Sequence, residues 1–427
     1  MKNREFLNIA DGSHLKFRGY LVKFVKNSNY LPLSGNKFIK KITLFFYFKI
    51  IRKIHLMILL IINSKLIFRE PKNKKNIIFD GCMHHFTKHI IKDKSCHVLE
   101  TRIEHFNKIY ITKKIIYYLM KNFYKNSLKV NYLFILIKII KPKNVITLID
   151  NSFDFFLIAQ LLKDENINFY ALQNATRRNE TSYVQKKRYI PNYFVFSKYE
   201  KNLFKRSHNV KNFIPNGSIK AELAKKYFLK KKIKKNFFDI CLISDPEIHL
   251  QTDDEFTQAK DMDKNSALVA EYCLRFSKKF KKKIIFMGKS DITQVDEKKY
   301  ETEFYRNFIS DRRFKIFFHH KKNFEAYKII LQSKVVIGCT SSLLRESFAF
   351  KKKVLCCKYV KDKNGILFPS EGICSLKNKN YIEFEKRLNK ILKMNYSSYV
   401  KKIKNIDNLY FCKKNALKVL NDTLNNK

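Results

Sequence analysis

The chain has 427 residues, too many for one compact core and suited to two domains with an extension. Its 45% hydrophobic content excludes a disordered chain, and its formal net charge of +51, from 88 Lys and Arg against 37 Asp and Glu, directs attention to nucleic acid and membrane surfaces. The excess is mostly lysine spread along the chain, with Gly at 9, Pro at 7 and Trp at 0, a bias expected of AT-rich coding. Sequence-specific base readout, which leans on clustered arginine, is therefore set aside, whereas attraction to anionic membranes or phosphorylated substrates stays open.

Taken in chain order, no cleavable signal is expected near Met1. From Phe38 to Phe68 an apolar segment is broken by Lys40, Lys41, Lys49, Arg52, Lys53 and Lys65. Its uncharged run from His55 to Ser64 is about half of what spans hydrocarbon. A basic amphipathic helix on the inner leaflet and a core-packing helix are both open there. After Pro71 strand-like and helix-like segments alternate. Strands are predicted at Ile77 to Asp80, His97 to Glu100, Lys108 to Ile111, Asn144 to Asp150, Asn168 to Gln173, Tyr193 to Ser197 and Asn212 to Pro215. Helices are predicted at Lys114 to Ile140 and Phe153 to Lys163. A lysine run, 230–235, reads as a linker, and the pattern restarts with strands at Phe237 to Ser244, Lys283 to Gly288, Phe314 to His319, Val335 to Gly338 and Val354 to Cys357.

This alternation predicts an α/β fold with two doubly wound, Rossmann-like parallel-sheet domains facing a cleft. The expected division is a basic N-terminal extension (1–72), an acceptor domain (73–229), a linker (230–236), a nucleotide-donor domain (237–400) and a helical tail (401–427). Nine cysteines make no C-x-x-C pair, which predicts a reduced, cytoplasmic chain.

None of the glycines forms a dinucleotide fingerprint or a Walker A loop, which disfavours hydride-transfer enzymes and P-loop kinases. Asp261-Met262-Asp263 matches a metal-binding D-x-D but follows other acidic residues, as a solvated loop does. His84, His85 and His89 lack structural-zinc spacing, although His84 or His85 after Asp80 is placed to act as a general base.

The most informative stretch runs from Ser333 to Glu346. A β-branched strand ends at Gly338, and Thr340, Ser341 and Ser342 lead an apolar helical pattern, the layout of a phosphate-binding helix start or of an ordinary capped helix. Glu346, a turn further in, would reach a sugar hydroxyl. Polar residues also close the other predicted strands: Asp80, Asp150-Asn151, Gln173-Asn174, Ser244-Asp245 and Gly288-Lys289-Ser290. In a doubly wound architecture they converge on one cleft, where a carboxylate can take a proton from an attacking hydroxyl.

The layout from Gly338 to Glu346 resembles the nucleotide-binding segment of UDP-N-acetylglucosamine 2-epimerases and other GT-B proteins. Further landmarks are Tyr170 to Asn174 with Arg177, Asn192 to Glu200 and Phe213 to Ser218. Their order is similar to that of bacterial surface carbohydrate biosynthesis proteins related to teichoic acid glycerophosphotransferases. This resemblance implies a GT-B fold, a nucleotide-activated sugar as donor, a glycan or lipid-linked acceptor, and no obligatory metal or other cofactor. It implies donor-phosphate contacts from Thr340, Ser341 and Ser342, a ribose contact from Glu346, and acceptor contacts from Gln173, Asn174 and Arg177; the strand-end positions add Lys289 and Gly338 as donor-side candidates and Asp80, His84, Asp150 and Asp245 as candidate proton acceptors. The expected activity is glycosyl transfer to a surface polysaccharide or glycolipid by a cytoplasmic enzyme, peripheral to the inner face of the plasma membrane. The 2-epimerases carry a His-Arg pair after the first strand of the second domain. Here Ser244 to His249 reads Ser-Asp-Pro-Glu-Ile-His, a departure from that pattern. A nucleotide-sugar isomerase and a non-catalytic basic nucleic-acid- or membrane-binding protein are the alternatives.

Overall fold

The computed structural model describes residues 62, 64–81, 86, 90–91, 96–102, 108–122, 126–177, 188–205, 208–229, 231, 233, 236–246, 253–309, 311, 314–320, 324–359, 368–409 and 416–425. Most of the apolar N-terminal segment and the histidines His84, His85 and His89 lie outside them. The chain divides into two compact units, 1–82 with 95–143 and 249–252, and 83–94 with 144–248 and 253–427.

The first unit contains β1 (Lys65–Ile67), β2 (Asn76–Phe79), β3 (Cys96–Leu99), β4 (Lys108–Tyr110), α1 (Lys113–Asn122) and α2 (Leu128–Ile140). β1 pairs in parallel with β4, and β2 with β3. Ile77, Ile78 and Phe79 of β2 are fully buried. The helix expected from Lys114 to Ile140 is two helices, because Ser127 caps a fresh start: its Oγ accepts from Val130 N at 3.3 Å. α2 then buries a nearly continuous apolar surface that includes Leu133, Leu136, Ile137 and Ile140, and ends at left-handed Lys141.

In the second unit, β5 (Asn144–Thr147), α3 (Phe153–Leu161), β6 (Asn168–Leu172), β7 (Arg188–Val195), α4 (Lys198–Phe204), β8 (His208–Pro215) and α5 (Ile219–Leu229) come first. β5, β6, β7 and β8 pair in that order, all parallel. Aromatic rings fill the space around them: Phe155, Phe169, Tyr170, Tyr193 and Phe194 are all at most 2% exposed. With no tryptophan in the chain, Phe and Tyr carry the large-volume packing.

Next come β9 (Phe238–Ile243), α6 (Asp253–Lys279), β10 (Ile284–Asp291), α7 (Val295–Arg306), β11 (Ile316–His319), α8 (Glu325–Leu331), β12 (Ser333–Gly338), α9 (Ser342–Glu346), a 3-10 turn (Ser347–Phe350) and β13 (Lys353–Cys357). The chain continues through β14 (Glu371–Gly372), β15 (Ser375–Leu376), α10 (Tyr381–Lys393), α11 (Tyr396–Lys401), β16 (Ile403–Lys404), α12 (Ile406–Leu409) and α13 (Ala416–Asn425). One parallel sheet has the order β11-β10-β9-β12-β13-β15. From β9 the chain steps outward to β10 and β11 and then returns to the other side for β12 and β13. The winding therefore reverses between β9 and β12, and the crevice beyond their carboxyl ends is where ligands of open α/β sheets bind. The doubly wound α/β class read from the alternation is what the strands form.

The helix expected after Gly338 is short. α9 gives way at Ser347, whose hydroxyl donates back to Leu343 O at 2.6 Å, and Lys351 then turns left-handed. α13 packs onto the first sheet: Asn144 Nδ2 donates to Leu424 O at 3.4 Å and Asn216 Nδ2 to Ala416 O at 3.0 Å. None of the seven described cysteines forms a disulfide. Six of them, Cys241, Cys273, Cys339, Cys356, Cys357 and Cys374, are buried, and burial pushes their thiols well up. Among the described residues no helix is long and apolar enough to cross a membrane.

Candidate functional site

The winding reversal places Asp245, just past β9, against Thr340, just past β12. Thr340 donates to Asp245 Oδ2 through both its backbone N–H, at 2.6 Å, and its hydroxyl, at 2.5 Å. Gly338 ends β12 fully inside the sheet, where an added Cβ would meet Ile243 and Leu344 at 3.4 Å. Thr176, from the loop after β6, donates its hydroxyl to Thr340 O at 3.3 Å. Loops at the carboxyl ends of both parallel sheets of the second unit therefore meet at one residue.

The described start of that β6 loop, 173–177, is held by a network of hydrogen bonds. Gln173 is 3% exposed, accepts from Phe196 N at 2.8 Å and donates to Ala175 O at 3.0 Å. Asn174 and Arg177 are organised by Asp150, which is 2% exposed. Arg177 approaches its carboxylate from Nε, at 3.1 Å, and from Nη2, and also donates to Asn174 Oδ1 at 2.9 Å. Tyr193 OH donates to Asp150 Oδ2 at 2.7 Å. Burial, reinforced by the Asp150 charge, raises the Tyr193 phenol well above its ordinary value and keeps it a donor. Asp150 thus binds Arg177 and Tyr193, and this arrangement orients Arg177 rather than presenting Asp150 as a base.

The second sheet contributes a buried carboxylate that sequence reasoning missed. Glu301 of α7, 0% exposed, accepts from Lys289 N at 2.8 Å, Ser290 N at 3.0 Å, Ser290 Oγ at 2.7 Å and Ser244 Oγ. It holds the ends of β9 and β10 in place, where the β10–β11 register shifts between Met287 and Asp291. Lys289 spends its ammonium on Pro246 O at 2.8 Å.

Arg345 and Glu346 are the other groups that only the three-dimensional structure reveals as a pair of anchors. Glu346, 1% exposed, accepts from Ser218 Oγ at 2.5 Å and Tyr327 OH at 3.0 Å, so its carboxylate is directed to protein partners. Arg345, 2% exposed, pairs with Glu200 Oε1 at 2.5 Å and donates to Asn408 O at 3.1 Å. Glu200 also closes a capping box with Ser197, and that S-x-x-E spacing was a readable signal in the sequence. Ser341 caps α9, accepting from Leu343 N at 3.3 Å, and Ser342 is half-buried.

Asp80 lies in the first unit, left-handed at φ 71°, its N–H donating to Leu99 O at 2.9 Å and its carboxylate 3.7 Å from Arg102 Nε. His84 is outside the described residues. Asp245, Thr340, Thr176 and the Asp150–Arg177 cluster are thus linked by hydrogen bonds or through one loop.

Fold and site together define an α/β protein with open parallel sheets and a cluster of polar residues at the reversal of its winding. No protein-family model and no curated protein matches the chain. Among solved structures, the chain is similar to the UDP-GlcNAc 2-epimerase from Neisseria meningitidis bound to UDP-GlcNAc, with 13% identity and a TM-score of 0.49 over 82% of this chain and 99% of that one. It is also similar to the UDP-GlcNAc 2-epimerase from Methanocaldococcus jannaschii in complex with UDP-GlcNAc and UDP, with 12% identity and a TM-score of 0.44 over 81% and 98%. The wall teichoic acid polymerase TagF gives 12% identity and a TM-score of 0.45 over 83% and 89%.

Proposed function

We propose that the protein is a GT-B-type enzyme that transfers a sugar or related group from a nucleotide-activated donor to a surface-glycan or lipid-linked acceptor. The observation that carries this reading is the convergence of Thr176 and Thr340 at the reversal between β9 and β12. There Asp245 is the carboxylate positioned to accept a proton from the attacking hydroxyl, with Thr340 orienting it. The acceptor oxygen forms the new bond to the transferred carbon while the bond to the nucleotide phosphate breaks. Arg177, held by Asp150, and the hydroxyls of Ser341 and Ser342 stabilise the leaving phosphate. α9 is only five residues long, so this role falls on side chains more than on a helix dipole.

The test is thermal stabilisation by CMP, CDP, UDP, GDP and their sugar conjugates, comparing wild type with Thr340→Val and Arg177→Met. A ligand at about a hundred times its Kd adds about 2.7 kcal/mol of stability. A shift by one nucleotide family that both variants lose supports the donor site. No shift by any of them in folded protein overturns it, and release of a free sugar product without acceptor assigns isomerase chemistry instead.

A further inference from the structure

Helix α1, of sequence KKIIYYLMKN, faces two ways. Ile115 is buried at 1% exposure, yet Ile116, Tyr117 and Met120 are 45, 61 and 74% exposed. At 3.6 residues per turn these three fall with Lys113 on the side opposite Ile115, flanked by Lys114 and Lys121. Exposed apolar groups on one face, rimmed by charge, mark an interaction surface.

The chemistry around this face selects its occupant. α1 has no acidic residue, and among the described residues 64–143 the acidic ones are Glu70, Asp80 and Glu100. Glu70 faces Lys114 at 3.7 Å and Asp80 faces Arg102 at 3.7 Å, so lysine and arginine dominate the rest. β1, which pairs with β4 ahead of α1, and the residue after it add Leu66 and Phe68, 43 and 75% exposed. Ile111 N donates to Ile67 O at 2.8 Å, tying the two approaches together. A polynucleotide would use the lysines but gain nothing from Ile116 and Met120. An anionic bilayer uses both: apolar side chains enter the headgroup boundary, tyrosine sits at the interface, and lysines meet lipid phosphates.

We propose that the exposed face of α1, with Phe68, seats this protein on anionic lipid membranes. The surface is independent of the donor-site reading and is tested separately. The full chain contains no tryptophan, so Tyr117→Trp supplies a single reporter. Its emission shifts to the blue with vesicles of phosphatidylcholine and phosphatidylglycerol in equal parts, stays unchanged with phosphatidylcholine alone, and is quenched by brominated acyl chains. In co-sedimentation, Ile116→Ser with Met120→Ser lowers partitioning on the order of tenfold. Neutralising Lys113, Lys114 and Lys121 to Gln lowers it roughly fivefold per charge. Wild-type partitioning by the Ser variant, an unshifted reporter while the protein co-sediments, binding to homopolymeric RNA but not to vesicles, or an apolar-dependent dimer without vesicle binding each overturns the proposal.

Discussion

Replacing Arg345 by Met removes a charge from the inside of the protein while keeping most of the side-chain volume. Glu200, 0% exposed, would keep its bonds from Ser197 N at 2.9 Å and Ser197 Oγ at 2.7 Å but lose the Arg345 counter-charge at 2.5 Å. Removing one partner of a buried ion pair costs about 3–5 kcal/mol, chiefly through the charge left behind. Asn408 O also loses a donor at 3.1 Å, which places the expectation in the upper half of that range. At about 2 °C per kcal/mol for a large unit, Tm should fall by roughly 8–10 °C. Glu200→Gln leaves the opposite charge uncompensated and should cost a similar amount. In the double variant neither charge remains, so the loss should fall short of the sum by about 1–3 kcal/mol. Urea unfolding of the four proteins near neutral pH measures this cycle. A loss below about 1 kcal/mol for Arg345→Met, or strict additivity, would refute the claim that the pair is desolvated and mutually dependent.

Gly372 stands at φ +88°, and an added Cβ would lie 2.5 Å from Lys402 O, so Gly372→Ala should cost about 1–3 kcal/mol; an unchanged urea midpoint would contradict the close β14–β16 approach. Asp150→Asn removes the counter-charge of Arg177 and weakens the acceptor for Tyr193, for an expected loss of about 2–4 kcal/mol with a weaker response to nucleotides; calorimetry on apo protein separates the two effects. The buried thiols predict alkaline sensitivity. Burial raises Cys241, Cys357 and Cys374 from 9.0 to about 12, so the folded state holds protons that the unfolded state releases. Their contribution is fully present below about pH 9 and is lost as pH rises from 9 to 12, at up to about 1.4 kcal/mol per thiol per pH unit. Urea midpoints measured between pH 8 and 10 should fall along the upper half of that range; a flat profile would show the thiols to be accessible.

Strand positions were legible because a parallel sheet buried on both faces writes itself as short β-branched and aromatic runs. Ile77 to Phe79, Val335 to Gly338 and Val354 to Cys357 are such runs, and all lie buried in strands. Helix breaks were less so: Ser127 restarts α2 inside a run that keeps its apolar periodicity. Strand-end polarity drew attention to Asp245 and Thr340, which hydrogen-bond each other because residues at a winding reversal meet whatever lies between them in sequence. Partnerships such as Arg345 with Glu200, separated by 145 positions, leave no local trace beyond a charged residue among apolar neighbours. Glu346 illustrates the limit. Its place in the motif was visible, whereas its engagement by Ser218 and Tyr327 depends on how α5 and α8 pack.

The closure of the first sheet by α13 has a consequence for synthesis. The hydrogen bond from Asn144 Nδ2 to Leu424 O joins residues 280 positions apart. A ribosome adding about 5–20 residues per second takes roughly 15–55 s to cover that interval. During that time β5 and the carboxyl end of β8 are made but uncapped, so a nascent chain arrested before Ala416 should be the form that chaperones hold longest.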